Sequence, residues 1–438
     1  MNADGAFSEL YLACESGDNE QVKNICSQAD ADFVSLNKIE SNGNTALHIA
    51  SSLGRKEIVR FLLTDVGVIR YRLNTEGLTA YQVAKDDEVR QLFRRLLPDQ
   101  MDRYCQSVQD VDDVQITQYS PEDNDGSLNI DNDENNEVSN DTSICDKYID
   151  GYTSPFDILG TQTHTALMIK YLPKTRLRLI AMRFENLIGR FQGESPTKHS
   201  TDAILRQEFQ TVIDQYVKPQ HSQYKKACYL LDAYFSVKQI DPLIRLYTLS
   251  TPFYSKTEKK QNPLGFAMLC HLKSLEARYF QGVVYRGVVA TQKCFQAYKW
   301  ALKQKSCCLT NKTFWSTSAD PNVARMYMNN QTNTDQLNIL FIIQFCQRTE
   351  MAIRLSAIPE SGLTCLSEFE DEEEVLVLPE AIFRVVAIEK DGFTLRAYTI
   401  RLENILIPVF SRRRLFKDVV REGSKQLREK YRKYRNKN

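Results

Sequence analysis

The chain has 438 residues, 42% hydrophobic and 26% charged, too long for one core, so two or three domains are expected. Lys plus Arg and Asp plus Glu both number 56, which excludes a chain-wide basic surface of the kind that binds nucleic acid non-specifically. No stretch approaches the roughly eighteen apolar residues of a membrane-spanning helix, and Met1-Asn2-Ala3-Asp4-Gly5 has neither the basic nor the apolar region of a signal peptide. The eleven cysteines and five histidines are scattered, with no C-x-x-C pair. Neither a disulfide framework nor a structural metal site is readable. A reduced, cytoplasmic protein without a metal is expected.

Residues 1–98 repeat. Gly43-Asn44-Thr45-Ala46-Leu47-His48-Ile49-Ala50 returns as Gly77-Leu78-Thr79-Ala80-Tyr81-Gln82-Val83-Ala84, thirty-four residues on. A degenerate copy, Leu10-Tyr11-Leu12-Ala13 followed by Gly17-Asp18, precedes both. The spacing predicts short helix pairs: Leu47, Ile49 and Ala50 on one, Ile58, Val59, Phe61, Leu62 and Leu63 on the next. The block resembles the ankyrin repeat, whose T-x-L-H-x-A signature recurs about every 33 residues. About three copies are expected, forming an all-α stack that binds a protein partner the sequence does not identify. Gln82 stands where His48 stands, and the first copy lacks the Thr, as expected of capping repeats.

Residues 99–150 carry fifteen acidic residues against Arg103 and Lys147, and are expected to form an acidic, disordered linker. Residues 151–195 hold a helical, basic run, Ala166 to Phe191, of unknown role. Helical spacing continues over Ala203 to Tyr216, Ala227 to Phe235 and Leu264 to Tyr279. Short β runs follow: Val283-Val284-Tyr285, Leu340-Phe341-Ile342-Ile343, Val375-Leu376-Val377-Leu378 and Phe383-Arg384-Val385-Val386. Helices followed by strands predict an α+β domain over 196–410. The 411–438 tail has twelve basic residues against Asp418, Glu422 and Glu429. It is read as a solvated extension; a nucleic-acid or nuclear-import patch is its alternative role.

Three fragments in the strand region stand out: Tyr285-Arg286-Gly287, Phe314-Trp315-Ser316-Thr317-Ser318, and Ser367-Glu368-Phe369-Glu370-Asp371-Glu372-Glu373-Glu374-Val375-Leu376. Each alone is weak: a strand-end Arg is usually an ion pair, and a Glu cluster is usually solvated. Together and in this order they resemble the R-S-E class of arginine-specific mono-ADP-ribosyltransferases. The resemblance covers roughly Ser200 to Pro408, with Leu246-Tyr247-Thr248 and Asn262-Pro263-Leu264 upstream. It implies a helical part followed by a split β-sheet core that binds NAD as substrate. No P-loop or G-x-G-x-x-G is present, so a Rossmann site is not expected.

The resemblance implies an NAD(P)(+)–protein-arginine ADP-ribosyltransferase, a glycosyltransferase whose substrates are proteins with exposed arginines. Cleavage of the nicotinamide–ribose bond builds positive charge on the sugar, as in glycosidases, and a fixed carboxylate answers it. By resemblance, Glu374 holds the ribose and stabilises that charge, while Glu372 orients the acceptor guanidinium. A guanidinium does not lose its proton unaided. Strand residues two apart share a side, so Glu372 and Glu374 would both face the cleft and Glu373 away. Glu370, Glu372, Glu373 and Glu374 offer rival pairs; Glu372 and Glu374 are chosen because Val375-Leu376 follow directly. Arg286 matches the Arg that binds the NAD phosphates, Gly287 the position where backbone approaches the nicotinamide amide, and Ser316 the Ser that positions nicotinamide ribose and catalytic Glu. Ser318 shares its face, and Phe369 stands where the family's substrate-recognition loop often has an aromatic. The alternatives are an NAD glycohydrolase, with water as nucleophile, and an ankyrin scaffold carrying an inactive transferase-like domain. Arg412, Arg413, Arg414, Arg421, Arg428, Arg432 and Arg435 in the tail are candidate self-modification acceptors.

Overall fold

The computed structural model describes residues 7–28, 32–95, 114–117, 198–253, 264, 267–268, 271–303, 308–311, 313–328, 336–378, 381–390 and 396–405. The expectations for 151–195, for most of the 99–150 linker and for the tail arginines lie outside the described residues. Among the described residues no helix is long and apolar enough to cross a membrane.

The first unit is a stack of short helices: α1 (Glu9–Ser16), α2 (Asn19–Ser27), α3 (Phe33–Leu36), α4 (Ala46–Leu53), α5 (Lys56–Phe61) and α6 (Asp87–Gln91). Ala13, Ala50, Val59, Leu62 and Val89 are fully buried in one core. The repeated glycines end helices: Gly17 (φ 84°) caps α1 and Gly54 (φ 75°) caps α4, left-handed positions that glycine adopts without strain. The repeated Thr starts them. Thr45 Oγ1 lies 2.8 Å from His48 Nδ1, and the Thr45 N–H donates to that nitrogen at 3.3 Å. His48 Nε2 is 3.1 Å from the Leu78 carbonyl, tying one repeat to the next, and burial lowers the His48 pKa. In the third copy residues 80–83 form a turn and not a helix, yet the same exchange recurs: the Thr79 N–H donates to Gln82 Oε1 at 2.9 Å, and the Gln82 N–H to Thr79 Oγ1 at 3.3 Å.

The second unit opens with α7 (Lys198–Val212), a π turn Ile213–Val217, α8 (Tyr224–Val237) and α9 (Asp241–Thr248). Phe209, Leu231, Leu243 and Phe253 form its core, reaching Ile353 and Leu376 of the sheet. The run expected to be helical up to Tyr279 ends in a 3-10 turn, Leu272–Arg278, and Tyr279 begins a strand.

Among the described residues eight strands form one sheet: β1 (Val114–Thr117), which precedes these helices in sequence, β2 (Tyr279–Thr291), β3 (Cys308–Asn311), β4 (Trp315–Ser318), β5 (Gln336–Arg354), β6 (Glu374–Val377), β7 (Ile382–Lys390) and β8 (Ala397–Asn404), in the order β1-β3-β7-β8-β5-β2-β4-β6. The nineteen-residue β5 serves both wings. Gln336–Phe345 pair with β2, Asn338–Gln344 run parallel to β8, and Ala352–Arg354 turn back onto β6. Strands β5, β2, β4 and β6 therefore close on themselves, and β8, β7, β3 and β1 form the open wing. Two helices, α10 (Gln292–Lys303) and α11 (Pro321–Met326), connect the strands. Val114–Thr117, inside the stretch read from sequence as a disordered linker, instead form the edge strand β1 against β3.

The two units touch. Tyr71 packs against the second unit's helical core under the Arg245 guanidinium, 3.7 Å away. Phe33 meets Tyr229 at 5.5 Å between ring centroids, and Gln223 Nε2 donates to the Leu63 carbonyl at 3.4 Å.

Candidate active site

The site lies on the closed part of the sheet. Arg286, on β2, is buried and donates from Nη1 to the Ser316 carbonyl on β4 at 2.9 Å. Its guanidinium carbon stands 5.9 Å from the Trp315 ring centroid, and Trp315 stacks on Phe383 in the sheet core. Strand β4 pairs antiparallel with β6, placing Ser318 opposite Glu374 and Ser316 opposite Leu376. Residues directly opposite share a face, so Ser316, Ser318 and Glu374 lie on one side of the pair. Glu374 is fully buried, and its Oε2 accepts the Ser367 hydroxyl at 2.9 Å.

Glu372 is placed by another route than the expected one. Residues 370–372 form a 3-10 turn, not a strand. Glu373 then adopts a left-handed conformation (φ 42°, ψ 44°), costly for a non-glycine residue, and its carbonyl accepts the Ala319 N–H at 3.0 Å. That reversal turns the exposed Glu373 side chain outward and leaves Glu372 and Glu374 buried on either side of it. A turn thus positions Glu372, and the alternation of an extended chain expected from the sequence does not apply.

Glu372 holds a guanidinium. Arg95, just beyond α6, donates from Nε to Glu372 Oε1 at 2.8 Å and from Nη2 to Oε2 at 3.1 Å. Its Nη2 also donates to the Thr248 carbonyl at 3.1 Å, and its Nη1 to Ser250 Oγ at 3.1 Å. The Tyr327 hydroxyl donates to Glu372 Oε1 at 3.0 Å. The Phe369 ring centroid lies 3.8 Å from the Arg95 guanidinium carbon, within cation–π range. Phe369 is itself buried and also lies 4.6 Å from the Arg70 guanidinium.

The acidic loop is otherwise tied inward. Glu368 pairs with Lys226 at 3.0 Å, both nearly fully buried, and its N–H donates to Thr248 Oγ1 at 3.0 Å. Burial pushes the Lys226 amine down to about 8, a fall that the Glu368 charge only partly opposes. Burial also raises Glu370 and Asp371 above the usual carboxylate range, and the neighbouring Glu372 charge adds to it at Asp371.

Gly287 needs no nicotinamide to explain it. A β-carbon there would lie 2.0 Å from the Ala324 carbonyl oxygen of α11 and 3.0 Å from Met328 Cγ, so helix packing alone demands glycine. Of the residues singled out in the sequence, Ser316, Ser318 and Glu374 share one side of the β4–β6 pair, Arg286 reaches only the Ser316 carbonyl, from the Trp315 side, since Tyr285 is the β2 residue opposite Ser318, and Glu372 and Phe369 hold the Arg95 guanidinium. Sequence reasoning passed over Ser367, although it begins the acidic motif, and Thr248, although it ends the Leu246-Tyr247-Thr248 run. For Arg95 and Tyr327 no sequence signal existed. Among the described residues no His, Cys, Asp and Glu cluster could hold a metal ion.

A family model of ankyrin repeats matches residues 10–104 in three copies. No curated protein sequence matches the chain. Among solved structures, the chain is similar to the type III effector XopAI from Xanthomonas axonopodis pv. citri, at 16% identity and a TM-score of 0.31, over 53% of this chain and 100% of that one. It is also similar to Vis toxin, an ADP-ribosyltransferase from Vibrio splendidus, at 19% identity and a TM-score of 0.24, over 47% and 86% of the two chains. A third is the ADP-ribosyltransferase HopU1 of Pseudomonas syringae, at 17% identity and a TM-score of 0.26, over 35% and 66%.

Proposed function

We propose that the second unit transfers ADP-ribose from NAD to arginine side chains of proteins, releasing nicotinamide, and that the ankyrin stack brings protein partners to it. One observation carries the reading: beside the buried Glu374, the chain has built a guanidinium place from Glu372 and Phe369. A carboxylate paired in a two-point fork and capped by an aromatic is suited to a planar guanidinium acceptor. NAD, when bound, supplies a glycosidic bond to nicotinamide whose cleavage leaves positive charge on the ribose. Glu374, fully buried and fixed by Ser367, is the carboxylate that answers that charge. Arg286 offers a planar cation to the phosphates, and Ser316 and Ser318 offer hydroxyls on the Glu374 side of β4. Glu372 orients the acceptor nitrogen and takes up the proton it releases as the new C–N bond forms.

The test uses labelled NAD with agmatine as acceptor and compares label in agmatine with free nicotinamide. Glu372→Gln should reduce transfer at least roughly tenfold more than nicotinamide release, since water needs no guanidinium orienter. Equal loss of both would remove Glu372 from the acceptor side. A folded, NAD-binding Arg95→Ala chain, whose Glu372 is cleared of its guanidinium, must label agmatine; if it does not, the transferase reading fails.

A further inference from the structure

The guanidinium on Glu372 belongs to the other unit. We infer that Arg95 is a built-in occupant of the acceptor place, so that the ankyrin stack holds the transferase site closed to arginine substrates. The inference rests on the proposed function, because it takes Glu372 and Phe369 as the acceptor side.

Four observations support occupancy over an ordinary surface ion pair. First, burial is complete: the Arg95 side chain is 0% exposed and that of Glu372 3%. Second, each Arg95 nitrogen is held by an acceptor of this chain. Nε and Nη2 share Glu372, Nη2 also meets the Thr248 carbonyl, and Nη1 meets Ser250. Third, the approach is built. Arg70 donates from Nη1 to the Phe93 carbonyl at 2.8 Å, fixing the segment that carries Arg95. Arg94 lies 3.6 Å from Asp371, and Arg70 stands 4.6 Å from the Phe369 ring. A basic edge of the stack thus meets residues 368–372 along their length. Fourth, the seam is narrow, a small cleft lined by Arg70, Tyr81, Phe93 and Glu370.

Arg95 is placed as a blocker and not as a substrate. A reacting nitrogen must shed a proton and turn its lone pair to the ribose carbon. Nη2 instead gives its hydrogens to Glu372 and Thr248, and Nη1 is anchored away from Glu372 on Ser250. An outside acceptor must therefore wait for the stack to withdraw, and its apparent affinity falls by the fraction of chains that are open.

The experiment measures agmatine binding to the full chain by calorimetry, without NAD, for the parent, Arg95→Ala and Arg95→Lys. Agmatine should bind Arg95→Ala at least roughly tenfold more tightly than the parent. Arg95→Lys, which keeps the charge but loses the two-point fork, should fall between them and covers the case in which the alanine variant does not fold. Folded variants that bind agmatine no better than the parent overturn the inference. So does mass spectrometry finding ADP-ribose on Arg95 of the parent after incubation with NAD, since Arg95 would then be an acceptor. Tighter agmatine binding without transfer from NAD upholds the occlusion and defeats the transferase reading alone.

Discussion

Ser367 gives the sharpest test of how Glu374 is held. Replacing it by alanine removes the hydroxyl that donates to Glu374 Oε2 at 2.9 Å and accepts the Phe369 N–H at 3.2 Å. Both Ser367 and Glu374 are buried, so water does not readily replace the lost donor. A hydrogen bond to a charged group is worth about 1.5–3 kcal/mol, and about 1.4 kcal/mol is tenfold in rate. If the bond holds Glu374 where charge develops on the ribose, kcat for nicotinamide release falls roughly 10- to 150-fold, with little change in KM for NAD. Ser367→Thr keeps a hydroxyl and should recover most of the loss. The assay is steady-state nicotinamide release, with thermal unfolding alongside to separate positioning from stability. A kcat within about twofold of the parent, at unchanged melting temperature, would refute the assignment.

Two further expectations concern packing and pH. Gly287→Ala puts a methyl 2.0 Å from the Ala324 carbonyl, a backbone atom that cannot rotate away, so α11 must shift and stability should drop by about 1–3 kcal/mol in urea titrations; an unchanged midpoint would show that the helix yields freely. Burial raises Glu370 in the folded chain, so the native state binds its proton more tightly than the unfolded one. That contribution is full below the ordinary carboxylate pKa and is lost as pH rises through the raised folded value. Glu370→Gln, neutral throughout, should therefore gain stability over the parent from about pH 4 to pH 7; a difference constant across that range would contradict it.

What could be read from the sequence was what is local. The Thr caps and the terminal glycines act within four residues, and the repeat recurs at a fixed spacing, so the ankyrin helices were legible in the sequence; even Gln82, a departure from the His48 pattern, makes the same exchange with its Thr. The strand runs were legible because β-branched and aromatic residues cluster there; the motif order did not tell which face each residue takes, and Arg286 lies on the Trp315 side while Ser316 shares the Glu374 side. The turn at Glu373 was not legible, because nothing about a glutamate announces a left-handed backbone; its carbonyl is met by the Ala319 N–H from another strand end. Strand β1 was hidden for a similar reason: Val114–Thr117 gain their pairing from Cys308–Asn311, while their neighbours in sequence are acidic and polar.

Arg95 marks where local reading stops. Its partner is 277 residues away, and in sequence it is one basic residue among others at the end of a repeat. Its meaning comes from two separate folds meeting: the stack supplies the guanidinium, and the second unit supplies Glu372, Phe369, Thr248 and Ser250. If the contact were only structural glue, a pair this buried would be a poor choice, since apolar residues of similar volume usually stabilise as well or better. What an ion pair gives that an apolar contact does not is exchange: an arriving guanidinium can replace the resident one on the same carboxylate. On the proposed reading, the two-point fork that would hold an acceptor arginine on Glu372 is the one that holds Arg95, and withdrawal of the ankyrin stack would free it.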